Sequence, residues 1–475
     1  MRTVIFGLGK FYKYMKPQLA SCPDLEIVAY VDNDKRLWGA CIDGLPVVAP
    51  QRIGEIQYDT VLIMSTYEEE IYAQLIELGI PESRILPWEV FHTGLLSGTR
   101  KVFLGKNNGR GRGEDILIIS IGLNYDGGSL AAVYAAMALR DRGYSVTLAA
   151  SGGNERFMEE IVNEGITVNI CPELPYVRDM EWIRQFDVVV VNVFQMIQSA
   201  VRTCLVRPTL WWIHEPIDVF HDIRLKQWNR IPANDLQNID IYAVSRIAKD
   251  NFNRFYPDRV KKILHYGIPD RNTEKQPKDV GKTRLIFAII GEVCTRKAQD
   301  IFCRAVQEIS KDEAEFWIIG YCGSNAFGDE VHKISAGINS IRMLGLLTRE
   351  EIYGIFPHID VVVCASREDS LPIVMTEGMM FGKVCITTDA TGTADFIRDG
   401  ENGFVVPAGD DQALKEKMEW ILYHRDRLAD IGRNARKTYE QYFSMDVFGA
   451  NLEKALLETK SKWCLKGEPD NGKGV

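Results

Sequence analysis

Ser366-Arg367-Glu368-Asp369-Ser370-Leu371-Pro372-Ile373-Val374-Met375-Thr376-Glu377-Gly378-Met379-Met380-Phe381-Gly382 follows the apolar run Val361–Cys364. A buried strand ends, a polar loop carries Asp369, and a helix starts at a proline, a residue suited to a first helical turn. The same strand–loop–helix order recurs upstream, with strands expected at Leu285–Ile290, Phe316–Ile319 and Met343–Leu344, and downstream at Val384–Thr387. Thr348 and Glu351 have the spacing of a capping box opening a helix. Short apolar strands alternating with helical patterns imply a parallel α/β domain, here spanning 285–443.

A second block, 114–268, has the same grammar. Its expected strands are Ile116–Ile121, Val146–Ala150, Asp187–Val193, Thr209–Ile213 and Ile241–Val244, and a helix over Ser129–Arg142 ends at Gly143. A polar interlobe linker, 269–284, separates the two blocks. A third block, 1–95, carries strands at Thr3–Phe6, Ile27–Val31 and Thr60–Met64 and a helix over Tyr67–Leu78 with Gly79 at its C′ position. The Gly- and base-rich stretch 96–113, containing Lys106-Asn107-Asn108-Gly109-Arg110-Gly111-Arg112-Gly113, reads as a linker. A terminal helix over 444–463, with its pattern clearest at Met445–Leu457, precedes a disordered tail over 464–475.

At 475 residues, three domains are the natural division. The composition, 46% hydrophobic and 25% charged, is globular. A net charge of -9 argues against a nucleic-acid partner, which needs clustered Lys and Arg. No apolar run reaches membrane-spanning length. The start has no signal-peptide layout. The ten cysteines lie mostly in apolar runs and lack CxxC spacing, as reduced core thiols of a cytoplasmic protein do.

Two successive open parallel sheets bind ligands beyond the carboxyl ends of their strands. Chemistry-bearing residues gather at those ends. A helix N-terminus receives phosphate, and Ser370, Leu371 and Pro372 lie at one. A carboxylate one or two turns along, Glu377, can accept both hydroxyls of a ribose. Gly291-Glu292-Val293-Cys294-Thr295-Arg296-Lys297 follows another strand and offers two cations for a diphosphate. Asp126-Gly127-Gly128-Ser129 opens a helix with the glycines that close backbone approach needs. His214 closes the apolar strand Trp211-Trp212-Ile213. Each also has an ordinary structural reading: charges at helix starts, a capped turn, a core histidine.

Together these motifs resemble the family 4 retaining glycosyltransferases of the GT-B fold, over about 115–460. The acidic pair Asp369 and Glu377 carries the resemblance. So do Thr391-Gly392-Thr393-Ala394-Asp395-Phe396-Ile397, Asp399-Gly400-Glu401-Asn402-Gly403-Phe404-Val405-Val406, and Asn434-Ala435-Arg436 before Phe443-Ser444. The resemblance implies a GT-B fold of two facing Rossmann-like domains; separately, Tyr30-Val31-Asp32-Asn33-Asp34 and Gly44-Leu45-Pro46-Val47 in block 1–95 resemble the additional N-terminal Rossmann-like domain that precedes some bacterial polysaccharide-synthesis enzymes. It implies Glu377 as ribose ligand, Lys297 as phosphate ligand, and Asp369 and His214 beside the donor sugar. Gly127 and Gly128 would lie near the donor, and Ser245, Tyr266 and Gly267 match further positions. Asp369 stands where many relatives have Glu. Glu292 stands where the family usually has Arg, and Arg296 would supply the missing charge.

The implied reaction moves a sugar from a nucleoside diphosphate, a UDP-sugar first and a GDP-sugar second, to an acceptor hydroxyl with retention. It needs no metal and no other cofactor. The acceptor would be a glycan, lipid-linked or protein hydroxyl in bacterial surface polysaccharide synthesis, reached at the inner face of the membrane. Glu292 motivates an alternative, an inactive GT-B subunit supporting a partner; sugar-nucleotide epimerisation ranks after it. In block 1–95, Gly7, Gly9 and Asp32 form half a dinucleotide fingerprint, with Tyr12 where the third small residue belongs. A nucleotide site and an empty scaffold remain open there. Oligomeric state is not legible.

Overall fold

The computed structural model describes residues 1–20, 25–65, 67–81, 84–88, 100–105, 113–171, 174, 181–221, 235–272, 283–309, 312–323 and 325–465. The chain forms two compact units. One comprises Met1–Lys101 with Ile170–Arg178 and Asp222–Arg230, the other the remaining residues.

In the first unit, β1 (Arg2–Phe6), β2 (Glu26–Val31), β3 (Cys41–Ile42), β4 (Leu45–Val48), β5 (Thr60–Ile63) and β6 (Ile85–Pro87) form a sheet in the order β3-β4-β2-β1-β5-β6. Successive side chains of β1 serve opposite faces, as strand geometry requires. Val4 and Phe6 pack with Val31 and Leu75, while Ile5 packs with Tyr30 and Leu62. β3 and β4 make a hairpin through Asp43-Gly44, both at positive φ (50° and 79°). That is the pattern of a two-residue turn of the primed type. Lys16 and the Tyr30 hydroxyl hold Asp43, at 2.8 and 3.1 Å. The expected helix runs Glu68–Glu77. Its end is closed by Gly79 N–H donating to Ile76 O and Ile80 N–H to Leu75 O, a Schellman arrangement.

The second unit contains two sheets. One comprises β7 (Lys101–Phe103), β8 (Asp115–Ser120), β9 (Ser145–Ala150), β10 (Thr167–Ile170), β11 (Val188–Asn192), β12 (Thr209–Ile213), β13 (Asp240–Ala243) and β14 (Lys262–Ile263). Its order is β14-β13-β12-β11-β8-β9-β10-β7. The stretch 96–113 is therefore not all connector, because Lys101–Phe103 adds an edge strand; 106–112 lie outside the described residues. The other comprises β15 (Leu285–Ile290), β16 (Ala314–Ile319), β17 (Ile341–Gly345), β18 (Val361–Cys364), β19 (Val384–Thr388) and β20 (Phe404–Val406). Its order is β17-β16-β15-β18-β19-β20, parallel throughout. Strand order reverses between β15 and β18 here, and between β8 and β11 in the preceding sheet. Those reversals are where open α/β sheets take ligands.

The nearly all-valine run of β11 is fully buried, as a central parallel strand covered on both faces should be. Trp211 and Trp212 on β12 are also fully buried, and their indole N–H groups donate to Val193 O and Leu264 O, each at 2.9 Å. The C-terminal helix runs Met445–Leu465, longer than expected, and returns to the β8–β14 sheet. Phe448 stacks on Trp212 with centroids 5.6 Å apart, and Lys462 pairs with Asp240 at 2.6 Å. The expected disordered tail lies outside the described residues from Lys466 onward.

Candidate functional site

At the β15/β18 reversal, Asp369 is buried and its Oδ2 accepts from both Lys297 Nζ (2.6 Å) and Arg296 Nη1 (2.9 Å). Burial disfavours the Asp369 carboxylate, but Lys297 and Arg296 outweigh it and hold the group below the usual carboxylate range. Lys297 pays the same desolvation and is nonetheless pushed up, chiefly by Asp369. The turn that presents the two cations ends at Ala298, a non-glycine residue in the left-handed region (φ 56°). It is over-determined by its surroundings. The buried Gln299 side chain donates to Glu292 O at 2.9 Å. Arg367 grips Asp300 through both carboxylate oxygens, at 3.0 and 2.7 Å. Glu292 is exposed.

The loop carrying Asp369 runs into the helix Ile373–Met380, with Pro372 at the N-cap rather than at the first helical position. No side chain caps this helix start. Glu377 is 1% exposed and its Oε1 accepts from Arg349 and from the Tyr353 hydroxyl (3.2 Å). Arg349 lies over the Tyr353 ring at 4.9 Å. A ribose diol reaching Glu377 must therefore share or displace a guanidinium that sequence reasoning did not anticipate.

On the facing sheet, Asp126 caps the helix Gly127–Asp141 by accepting from Ser129 N–H at 2.9 Å. The Ser129 hydroxyl donates to Gly122 O at 3.0 Å. His214 follows β12, with Nε2 sealed and unpartnered among the described residues. Burial pushes its imidazole down to about 3, so it is neutral at physiological pH. Glu215 is buried beside it and accepts from Phe194 N–H (2.7 Å) and His214 N–H (2.8 Å). Burial raises Glu215 to about 7, against the pull of those amides.

The two sheets meet around these groups. Glu368 Oε1 accepts from Ile217 N–H at 2.6 Å and from Asn251 Nδ2 at 2.9 Å. Tyr266 donates to Leu371 O at 3.0 Å, and Ser245 caps its own helix by accepting from Ala248 N–H. Gly267 packs where a Cβ would lie 2.6 Å from Phe448 Cβ. Gly392 is a closer fit still, since a Cβ there would lie 1.9 Å from Ser370 O. Four buried side-chain atoms lack a partner among the described residues: Asn192 Oδ1, Gln195 Oε1, His214 Nε2 and Ser370 Oγ. Leaving such an atom desolvated and unpaired costs about 1–3 kcal/mol. The same residues gather no metal-binding cluster of His, Cys, Asp or Glu, and no described helix is long and apolar enough to cross a membrane.

The first unit uses its fingerprint residues differently. Leu8 N–H, between Gly7 and Gly9, donates to Asp32 Oδ2 at 2.7 Å, and Asp34 N–H donates to Oδ1 at 2.8 Å. The amide and the carboxylate that a dinucleotide would engage hold each other. Tyr12 is buried and reaches the Tyr30 hydroxyl at 3.1 Å.

Residues 270–438 match the family model described as glycosyl transferases group 1, and residues 1–86 match C2185-like, N-terminal. The O-antigen chain mannosyltransferase C of Escherichia coli is 31% identical over 131 residues, covering 26% of this chain and 35% of that protein. The D-rhamnosyltransferase WbpZ of Pseudomonas aeruginosa is 31% identical over 111 residues, covering 23% and 29%. The chain thus spans about a third of the length of these curated relatives. Anabaena Alr3699/HepE, solved in complex with UDP and glucose, superposes with a TM-score of 0.63 at 17% identity, covering 73% of this chain and 100% of that one. WaaG, a glycosyltransferase involved in lipopolysaccharide biosynthesis, gives 0.53 at 13% identity, covering 72% and 99%. The architecture is the α/β GT-B fold, built from parallel-sheet Rossmann-like domains.

Proposed function

We propose that the chain is a glycosyltransferase of polysaccharide synthesis that moves a sugar from a nucleoside diphosphate to an acceptor hydroxyl with retention. One observation carries the reading: Lys297 and Arg296 converge on one oxygen of the buried Asp369 at a strand-order reversal. Two cations held there by a carboxylate are preorganised for a departing diphosphate, whose negative charge grows in the transition state. The uncapped helix start at Leu371 and Pro372 adds amide dipoles to the same anion. Glu377 holds the ribose. His214 is neutral, so it serves the sugar as a hydrogen-bonding group rather than as a charge, and Asp369 lies beside that sugar. Gly127 and Gly128 let the N-lobe backbone approach the donor.

The donor is a UDP-sugar or, second, a GDP-sugar. The acceptor is a glycan, lipid-linked or protein hydroxyl met in the cytoplasm at the inner membrane face. No metal is required, because the cationic side chains do the work a divalent ion would do. The likeness of residues 270–438 to glycosyl transferases group 1 supports an active transferase over an inactive subunit.

The test is release of UDP or GDP from a panel of nucleotide sugars, with and without EDTA. Release that survives EDTA and falls in Lys297→Met supports the reading. Release abolished by EDTA and restored by Mn²⁺ sinks the metal-independent mechanism. No release from any donor, with an intact fold, sinks the transferase reading.

A further inference from the structure

The turn Asn192–Gln195, at the carboxyl end of β11, is built under strain. Val193 takes φ 74° and ψ 153°, which a β-branched residue adopts only when its surroundings impose it. Here they do. Val193 N–H donates to Trp212 O at 3.0 Å, Val193 O accepts from Trp211, and Phe194 N–H is taken by Glu215. Glu215 and the two tryptophans are buried, so the turn cannot relax toward solvent.

What this strained turn presents is two amide side chains with unsatisfied oxygens. Asn192 is fully buried, and its Nδ2 donates to Gly128 O at 3.0 Å and to Ser120 Oγ at 3.2 Å. A carbonyl only accepts, so Gly128 fixes the amide's orientation and leaves Oδ1 as the free acceptor. Gln195 Oε1 is likewise sealed and unpartnered among the described residues.

The contacts around these atoms close into a ring. Asn192 reaches the Gly128 carbonyl, and a Cβ at neighbouring Gly127 would touch Ile373 of the facing lobe at 3.8 Å. From Ile373 the chain leads back through Ser370 to Glu368, which holds Ile217. Two residues before Ile217, Glu215 returns to Phe194. Two of the four unpartnered atoms, on Asn192 and Ser370, belong to residues on this ring, and the other two belong to its immediate chain neighbours, Gln195 after Phe194 and His214 before Glu215. A ligand that satisfies both sides is attached to the group that Lys297 and Arg296 bind and is rich in hydrogen-bond donors. That is the transferred sugar.

Resting on the transferase reading above, we propose that Asn192 and Gln195 are specificity-determining residues for the transferred sugar: their buried amide oxygens accept hydrogen bonds from its hydroxyl groups. Neither residue has any role toward the nucleotide. Their loss is therefore felt in the nucleotide sugar and not in the bare nucleotide.

The experiment is calorimetric titration of the full chain with UDP, GDP, UDP-glucose, UDP-galactose, UDP-N-acetylglucosamine and GDP-mannose. The nucleotide sugar that wild type binds most tightly is then compared with its own nucleotide in three variants. Gln195→Leu keeps the shape and removes the acceptor; it should weaken the nucleotide sugar about five- to tenfold and leave the nucleotide unchanged. Gln195→Glu keeps an acceptor and should retain most of the sugar's affinity. Asn192→Ala should lower the sugar's affinity relative to the nucleotide's, over and above any loss of thermal stability from releasing Gly128. Parallel losses for sugar and nucleotide, or an unchanged sugar affinity in Gln195→Leu, overturn the proposal. A wild-type chain that binds neither UDP nor GDP overturns the transferase reading, and this proposal with it, before any substitution is made.

Discussion

Asp369→Asn isolates the electrostatics of the proposed donor site. The substitution keeps the shape and removes the charge that Lys297 and Arg296 share at 2.6 and 2.9 Å. At an effective dielectric near 20, unit charges that close attract by about 6 kcal/mol per pair before desolvation is subtracted. Removing one member of a buried ion pair costs about 3–5 kcal/mol, because the remaining charge is left uncompensated. Arg296 is partly exposed and can turn toward water, so the lower end applies, about 3 kcal/mol. At about 2 °C per kcal/mol, melting of the ligand-free chain should fall by about 6 °C. The nucleotide reverses the sign of the effect. On the proposed reading a diphosphate competes with Asp369 for the two cations in wild type; in the variant only Asp218, 3.8 Å from Arg296, remains as a competing carboxylate. The melting shift produced by saturating UDP or GDP, whichever stabilises wild type, should therefore be larger in Asp369→Asn than in wild type. Differential scanning fluorimetry with and without nucleotide measures both quantities. Equal stability without ligand, or a smaller nucleotide-induced shift, would refute the reasoning. The pair also predicts a pH window. Asp369 is depressed, so its contribution is present above the unfolded carboxylate range and is lost as pH falls through the lower folded value. Lys297 is raised, so its contribution holds below the unfolded lysine range and is lost as pH rises through the higher folded value.

Glu377→Gln should weaken nucleotide binding about ten- to a hundredfold by calorimetry, since the ribose loses a charged acceptor; unchanged affinity would remove Glu377 from the site. Gly392→Ala places a Cβ 1.9 Å from Ser370 O and 2.8 Å from Ser245 Cβ. It should lower melting by several degrees and weaken nucleotide binding with it, and a variant of wild-type stability would contradict that fit. His214 is lowered to about 3 by burial while the unfolded imidazole titrates near 6.5. The unfolded chain therefore binds more protons in that interval, and stability falls by about 1.4 kcal/mol per pH unit below 6.5. His214→Phe should remove that loss, leaving the opposite trend of Glu215, whose raised folded value makes the native state gain stability as pH falls below about 7; a profile identical to wild type between pH 7 and pH 5 would show that the imidazole is not desolvated.

Much of this arrangement was legible because it is local. Val361–Gly382 is one strand–loop–helix unit, and hydrophobic runs of four or more residues marked nearly every central strand. What escaped was short or distant. β3, β4 and β6 have two to four residues, too few to show periodicity. Arg349 meets Glu377 from a different helix, and no spacing rule links residues 28 positions apart. Asn192 looked like the polar end of a valine strand. Val193 carries no sign that it will adopt positive φ, because contacts with Trp211, Trp212 and Glu215 impose that conformation. Asp32 was readable as a ribose ligand only while its hydrogen bond to Leu8 was unknown.

The distribution of strain ties these pieces together. The chain holds four non-glycine residues at positive φ among those described: Asp43, Val193, Asp258 and Ala298. Asp43 is in a hairpin, and aspartate tolerates that conformation by bonding locally. Val193 and Ala298 have no such excuse. One lies directly after Asn192 at the β8/β11 reversal, the other directly after Lys297 at the β15/β18 reversal. Each is held by buried hydrogen bonds from its own lobe, Glu215 and Trp211 in one case and the Gln299-stapled loop in the other. Strain that costs folding energy persists only where the surrounding structure over-determines it. Each lobe maintains it in a turn beside its strand-order reversal, after β11 in one and after β15 in the other, and on the proposed reading the two turns serve a single ligand that touches both. A nucleotide sugar has that form, with an anionic end for Lys297 and a hydroxylated end for Asn192.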